Sequence, residues 1–397
     1  MSPTVFNRTN MILGLVQGFY WMASCVFVSF LVRLLHGYGY NDYQTGITLT
    51  FASLASLIVQ PLLGRLADRV KSVRRLLISC LLTAIVAALL LNALYRYTLL
   101  VYGLILIIFG SFRSLVYIID LWSLSVDKSC KEFSYGFTRS FGAVFYAVSA
   151  VFYGSAIDRF GTSIIVPCFC VFSSLVVIMA MFVKTSRTGD SPVLHERSLP
   201  LSEALKILFT NKAYVVLLLS YTLIEMSCIA NQNYLTRKFE VLGSGDFYTG
   251  LALLTMGLLQ LIPLLLNAKT TRRFSAPSLM LICFIGLNLR NLIMAFSTTP
   301  LATVSSYLTE PFAFGLYIGA ILYYMNSILP QKVRYLGMTL YAAITSGLGG
   351  MIGNYMAGRI AESYGILSMM KFLVIPSLLG LVIYLVFYPR NVQRNLG

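Results

Sequence analysis

The chain has 397 residues, of which 58% are hydrophobic and 11% charged, with a mean hydropathy of +0.79. Soluble domains carry about 25% charged residues, so this composition excludes a soluble fold and points to an integral membrane protein. The net charge of +16 raises nucleic-acid binding as an alternative, and the placement of the basic residues decides against it.

Spanning a bilayer takes about 20 apolar residues as a helix. From the N-terminus, such windows recur twelve times, at roughly 9 to 35, 44 to 67, 75 to 95, 98 to 126, 134 to 157, 163 to 183, 213 to 236, 247 to 268, 277 to 297, 300 to 328, 334 to 358 and 366 to 388. Backbone groups in hydrocarbon must be satisfied within their own segment, and the period-two alternation of a membrane barrel is absent. The expected fold is therefore all-α, with twelve transmembrane helices. The first window lacks the short apolar core and small-residue cleavage site of a secretory signal, so it is expected to remain in the mature chain.

Between spans, 20 of the 30 Lys and Arg residues fall on the side of both termini, 7 on the other side and 3 inside helices. By the positive-inside rule, both termini and the loop "RLADRVKSVRR" (65 to 75) face the cytoplasm of a multi-pass cell-membrane protein. No loop offers a folded nucleic-acid recognition module, so the basic residues are read as topology anchors. Seven cysteines scattered mostly through apolar spans read as packing residues, and His36 and His195 are the sole histidines, so neither a metal nor an organic cofactor is expected.

The one long polar break, 184 to 212, divides the spans six and six. The expected organisation is an N-terminal bundle (1–184), a cytoplasmic linker (185–211) and a C-terminal bundle (212–397). Within the linker, "SEALKILF" is amphipathic and could lie along the membrane surface. Internal similarity suggests related halves. "GSAIDRFG" (154 to 161) recurs as "GRIAESYG" (358 to 365) at an offset of 204, and "QPLLG" from Gln60 echoes "QLIPLL" from Gln260 at an offset of 200.

An ionised side chain at the centre of a span costs about 2.5 to 3.5 kcal/mol on insertion scales, so each one needs a reason. Six qualify: Arg113, Asp120, Arg139, Glu225, Arg290 and Glu310. Asp120 and Arg139 fall at similar depths on spans four and five. Arg113, Tyr117 and Asp120 share one helical face, and Arg139 heads a stripe with Gly142, Tyr146, Ser149 and Tyr153. Charges interleaved with aromatic rings suit a hydroxylated ring, whose hydroxyls take hydrogen bonds and whose C–H face lies on an aromatic. The alternative is an ion pair that only packs two helices. Arg290 and Glu310 likewise match in depth on spans nine and ten. Arginine stays charged, so Glu310 is the member of that pair able to bind and release a proton; a permanent salt bridge is the alternative. Pro311 is expected to disturb the helix beside it. Glu225, with Cys228 and Gln232 down the same face, is a further candidate for coupling or for buried packing.

These motifs converge on a resemblance. "GRLADRVKSVRR" after span two resembles the signature loop of the major facilitator superfamily, with Gly64, Asp68 and Arg69 at its matching positions. The stretches 45–68, 139–154 and 310–325 are similar to the second, fifth and tenth helices of the oligosaccharide:proton symporters related to lactose permease. That resemblance implies two six-helix bundles rocking around a midplane site. It implies sugar binding by Asp120 (with a one-residue shift) and Arg139, stacking on Tyr146, and proton carriage by Glu310 against Arg290. The family's helix-eight acid and amide fall on Leu258 and Leu261, with Gln260 close by; Tyr307 replaces its helix-ten histidine, and Glu225 is out of register with its helix-seven acids.

The expectation is a proton-coupled symporter of a sugar or similar polyhydroxylated solute, acting as a monomer in the lipid bilayer with the proton as its coupling ion. Candidate substrate contacts are Asp120, Arg139, Tyr146, Arg113, Tyr117 and Gln260. A sugar or drug efflux carrier or a nucleoside carrier on the same scaffold, and a non-transporting membrane sensor, are the alternatives. The membrane-buried regions present no catalytic arrangement, so an enzyme is not expected.

Overall fold

The computed structural model describes residues 8–69, 72–127, 135–183 and 200–387. Among them every regular element is helical, as the hydropathy windows require. The first span comprises α1 (Arg8–Ser24), a π-helical turn (Cys25–Ser29) and α2 (Leu31–Gly37). Next come α3 (Asp42–Arg69), α4 (Val73–Leu94), the paired α5 (Thr98–Arg113) and α6 (Leu115–Asp127), α7 (Tyr135–Phe160) and α8 (Ile165–Phe182). The second half holds α9 (Leu201–Thr210), α10 (Lys212–Asn233), α11 (Leu235–Val241), α12 (Asp246–Arg273) and α13 (Ala276–Phe296). It continues with α14 (Pro300–Ser305), α15 (Phe314–Ile328), α16 (Gln331–Ala342), a π-helical segment (Ala343–Gly349), α17 (Gly350–Tyr364) and α18 (Ile366–Val386).

Eleven segments among the described residues are long and apolar enough to cross a membrane. The remaining expected window, 44 to 67, lies within α3, which at 28 residues exceeds the length a bilayer demands. The outward faces are apolar: Leu82, Val86, Leu89 and Leu90 of α4 and Val148 and Phe152 of α7 are all exposed, the reverse of an amphipathic soluble helix.

The described chain separates into two compact units, Met1–Pro192 with Ser244–Leu254, and Val193–Gly243 with Thr255–Gly397. The first turns of α12 therefore belong to the first unit and the rest of that helix to the second. In the first unit, the Asp158 carboxylate accepts from the backbone N–H groups of Asp246 at 2.6 Å and Phe247 at 2.8 Å, and Arg33 bonds the Asp246 carboxylate at 2.9 Å. A carboxylate there satisfies N–H groups that a helix N-terminus leaves without intrahelical partners. In the second unit, the amphipathic segment of the polar break forms α9, and its apolar face is taken up by protein: Ala204 and Leu208 are buried in one core with Tyr214, Leu217 and Tyr324.

The two halves repeat at an offset of 204. Helices α3 and α12 both have 28 residues and start at Asp42 and Asp246; α2 and α11 both have 7 and start at Leu31 and Leu235. The left-handed glycines that follow them, Gly39 and Gly243, and those that end the fifth and eleventh spans, Gly161 and Gly365, keep the same spacing. This offset sets Gln60 opposite Leu264, so the glutamine match at offset 200 does not mark equivalent positions.

Candidate functional site

In the first unit, three helices bring polar groups together. Gln17 and Trp21 sit four apart on α1 and share a face; Asp120 comes from α6, and Arg139 and Tyr146 from α7. Gln17 Nε2 donates to Asp120 Oδ1 at 2.9 Å, and Arg139 Nη1 donates to Gln17 Oε1 at 3.4 Å, so one amide bridges the two charges. Arg139 Nε lies 4.0 Å from Asp120 Oδ1, and the two side chains keep 35% and 24% of their surface exposed. This ion pair is loose and open, with hydrogen-bonding capacity left over.

Aromatic groups complete the cluster. The Arg139 guanidinium lies over the Trp21 ring, 4.8 Å from its centroid. Trp21 meets Tyr146 edge-on at 6.0 Å, and the Tyr146 hydroxyl is 3.0 Å from Ser29 Oγ in the π-helical turn. Gly142 makes room for this: a Cβ at that position would fall 2.5 Å from Trp21 Cδ1. Arg113 ends α5 with an exposed side chain and does not join this cluster among the described residues. Helical backbone runs through Gly64, Asp68, Arg69 and Tyr117; the side chains of Asp68, Arg69 and Tyr117 lie outside the described residues.

In the second unit, a helix break sets the site. After α14, a 3-10 turn covers Ser306–Thr309, Ala313 leaves helical geometry at φ −94 and ψ −115, and α15 starts at Phe314. Pro311 has no N–H to continue the ladder. Gly286 of α13 faces the break; a Cβ there would lie 2.7 Å from the Phe312 carbonyl carbon. Glu310, at the start of the break, is 0% exposed and accepts from Arg290 Nη1 at 3.0 Å and from Gln260 Nε2 at 2.8 Å. Gln260 thus joins the carboxylate of span ten. Arg290 also lies 5.8 Å from the Tyr307 ring centroid, and the Tyr307 hydroxyl donates to Gln232 at 2.8 Å.

Buried amides hold this corner in place. Asn291 accepts from Asn231 at 3.2 Å and donates to Ser377 at 3.0 Å, and Ser377 donates to Asn288 at 2.9 Å, so α13 is tied to α10 and α18 on either side of Arg290. Glu225 is buried on α10, within electrostatic reach of Tyr221, Tyr317 and Tyr341.

Sequence reasoning missed Gln17, Trp21 and this amide network. The four-residue spacing of Gln17 and Trp21 within an apolar span was the available signal. His36 pairs elsewhere in the first unit, its Nε2 3.0 Å from Asp42, and His195 lies outside the described residues.

Comparison with known proteins places this geometry in context. The profile of the MFS_1 like family matches residues 11–372. A relative, the uncharacterized transporter YwbF of Bacillus subtilis (strain 168), is 24% identical over 371 residues, covering 88% of this chain and 86% of its own. Among solved structures, a variant of the nucleoside transporter NupG superposes with a TM-score of 0.85 at 12% identity, covering 96% of this chain and 100% of that one. A POT family transporter in complex with a thioalcohol conjugated peptide gives 0.73 at 12% identity, covering 98% and 97%. With the family profile spanning nearly the whole chain and the fold shared with solved carriers, the protein is a transporter of the major facilitator type and belongs to the MFS_1 like family.

Proposed function

We propose that the protein is a proton-coupled symporter that moves a sugar or a similar polyhydroxylated solute by alternating access. Support for the solute comes from the first unit. A solute hydroxyl can bond the open Arg139 and Asp120 side chains, while Trp21 and Tyr146 offer ring faces and edges to its C–H groups. A nucleoside is the second reading, since it combines a ribose with a flat base, and the indole of Trp21 beside the Arg139 guanidinium suits a base as well as a sugar.

The observation that carries the coupling is Glu310, removed from water on a broken helix and held by Arg290 and Gln260. In this reading the proton takes the place of Arg290 as the partner of Glu310 when the carrier changes its facing. Proteoliposomes with an inward proton gradient test the reading with labelled lactose and labelled uridine as probes. Glu310→Gln should abolish accumulation of the transported probe while exchange, which moves no net proton, continues. Accumulation at the wild-type level in that variant would refute the coupling.

A further inference from the structure

We propose that Arg290 is shared between two carboxylates, Glu310 and Glu225, and that whichever acid it has left carries the proton. The inference rests on the proton-coupling reading and assigns Glu225 its part. A guanidinium does not give up its charge, and Arg290 is only 6% exposed. Withdrawn from Glu310, it needs another anion, because a buried charge stripped of its partner is strongly unfavourable.

Glu225 is placed to be that anion. Asn291, the residue after Arg290, donates to Cys228 Sγ at 3.4 Å, Arg290 itself lies within electrostatic reach of Cys228, and Glu225 lies three residues before Cys228 on the same face of α10. Residues at that spacing sit about 5–6 Å apart on a helix. The second acid is therefore one turn beyond a group that Arg290 already approaches. The backbone need not follow: Asn288 and Asn291, flanking Arg290, tie α13 to α10 and α18, so the exchange falls to the arginine side chain.

The surroundings of both acids suit a change of protonation. Glu225 is faced by Tyr221 and Cys228 from its own helix, by Tyr317 from α15 and by Tyr341 from α16. The Tyr317 hydroxyl donates to that of Tyr341 at 3.1 Å, and Tyr221 stacks on Tyr317 with centroids 4.4 Å apart. A tyrosine hydroxyl accepts from a neutral carboxyl and donates to an ionised one, so such neighbours serve either state. Glu310 is faced by Arg290 from α13 and Gln260 from α12, with Tyr307 one turn earlier on its own span.

The proton count balances. A proton entering at Glu310 neutralises its carboxylate; Arg290 moves to Glu225, which releases the proton it held. When Arg290 returns, the proton on Glu310 passes to Glu225. One proton crosses per cycle; the pair holds one at rest, two for the interval between entry at Glu310 and release from Glu225, and one again afterwards.

Infrared spectroscopy of the ligand-free protein in lipid nanodiscs tests this without knowledge of the solute. Wild type, Glu310→Gln and Glu225→Gln are each compared with the double variant. Wild type should show one protonated-carboxyl C=O band, and each single variant should lose it, because Arg290 then settles on the remaining carboxylate and ionises it. Persistence of the band in Glu310→Gln would mean that Glu225 keeps its proton whatever Arg290 does, and would overturn the sharing, as would absence of the band in wild type. Glu310→Asp and Glu225→Asp, which retain both acids, should keep the band and so guard against a folding artefact; its loss in them would count against the proposal. Accumulation of labelled lactose or uridine by Glu310→Gln would instead remove the coupling reading itself.

Discussion

Arg290, Arg139 and Lys238 are each accommodated differently, and the differences can be measured. Arg290 is sealed against a carboxylate, whereas Arg139 keeps a third of its surface open and leans on an amide and an indole. Gln17 is the amide that links Arg139 to Asp120, so Gln17→Ala should weaken solute binding by about 0.5–1.5 kcal/mol, up to about tenfold, with little change in thermal stability. Isothermal titration with the transported probe would show it. Lys238, beyond the apolar span of α10, is fully buried and donates to the Met294 carbonyl and to Ser297 Oγ at the C-terminus of α13. Burial pushes its ammonium down from 10.5 to about 8. The unfolded chain then binds more protons between about 8 and about 10.5, so the cost of burying the charge is full below that window and relieved as pH rises through it. Thermal unfolding of purified protein should show wild type gaining stability relative to Lys238→Met across that window, and parallel curves would refute the assignment.

Two elements carry conformational roles that side-chain chemistry exposes. The first turns of α12 are capped by Asp158, and Asp158→Ala should cost about 0.5–2 kcal/mol, the range for a lost N-cap, with hydrogen exchange rising first at Asp246 and Phe247. The break after α14 depends on close approach at Gly286. Gly286→Ala should displace the Phe312 carbonyl and with it Glu310, at an overpacking cost of about 1–3 kcal/mol, seen as a lower unfolding temperature. Pro311 made the break legible in the sequence, since its ring forbids a ladder bond. The π-helical turn at Cys25–Ser29 and the interruption between α5 and α6 at Ser114 were not legible. Neither place has a proline or a glycine to punctuate it, and hydropathy averaged over a span is blind to one added residue per turn.

Over the whole molecule, hydropathy and charge placement made the helical membrane fold readable, because hydrocarbon permits so few alternatives. The same scarcity exposed Arg290 and Glu310: charges in apolar spans are rare, and counting residues from one turn gives matching depths, now seen as a 3.0 Å contact. Gln17 and Trp21 carry no charge, and their four-residue spacing is shared by many polar and aromatic pairs in other spans, so the packing of α1 against α7 is what gives that weak signal its meaning. The two units hold chemically different sites, and this makes a prediction that neither alone could. If the open pair of the first unit binds solute and the sealed pair of the second answers to the proton, their variants must fail differently. Arg139→Gln should reduce both accumulation and exchange roughly tenfold to a hundredfold at probe concentrations below saturation, because a lost charge-assisted hydrogen bond costs about 1.5–3 kcal/mol of affinity. Glu310→Gln should spare exchange. Paired uptake and exchange assays on the same vesicles decide it: exchange at the wild-type rate in Arg139→Gln would move solute recognition away from the first unit, whatever Glu310 does.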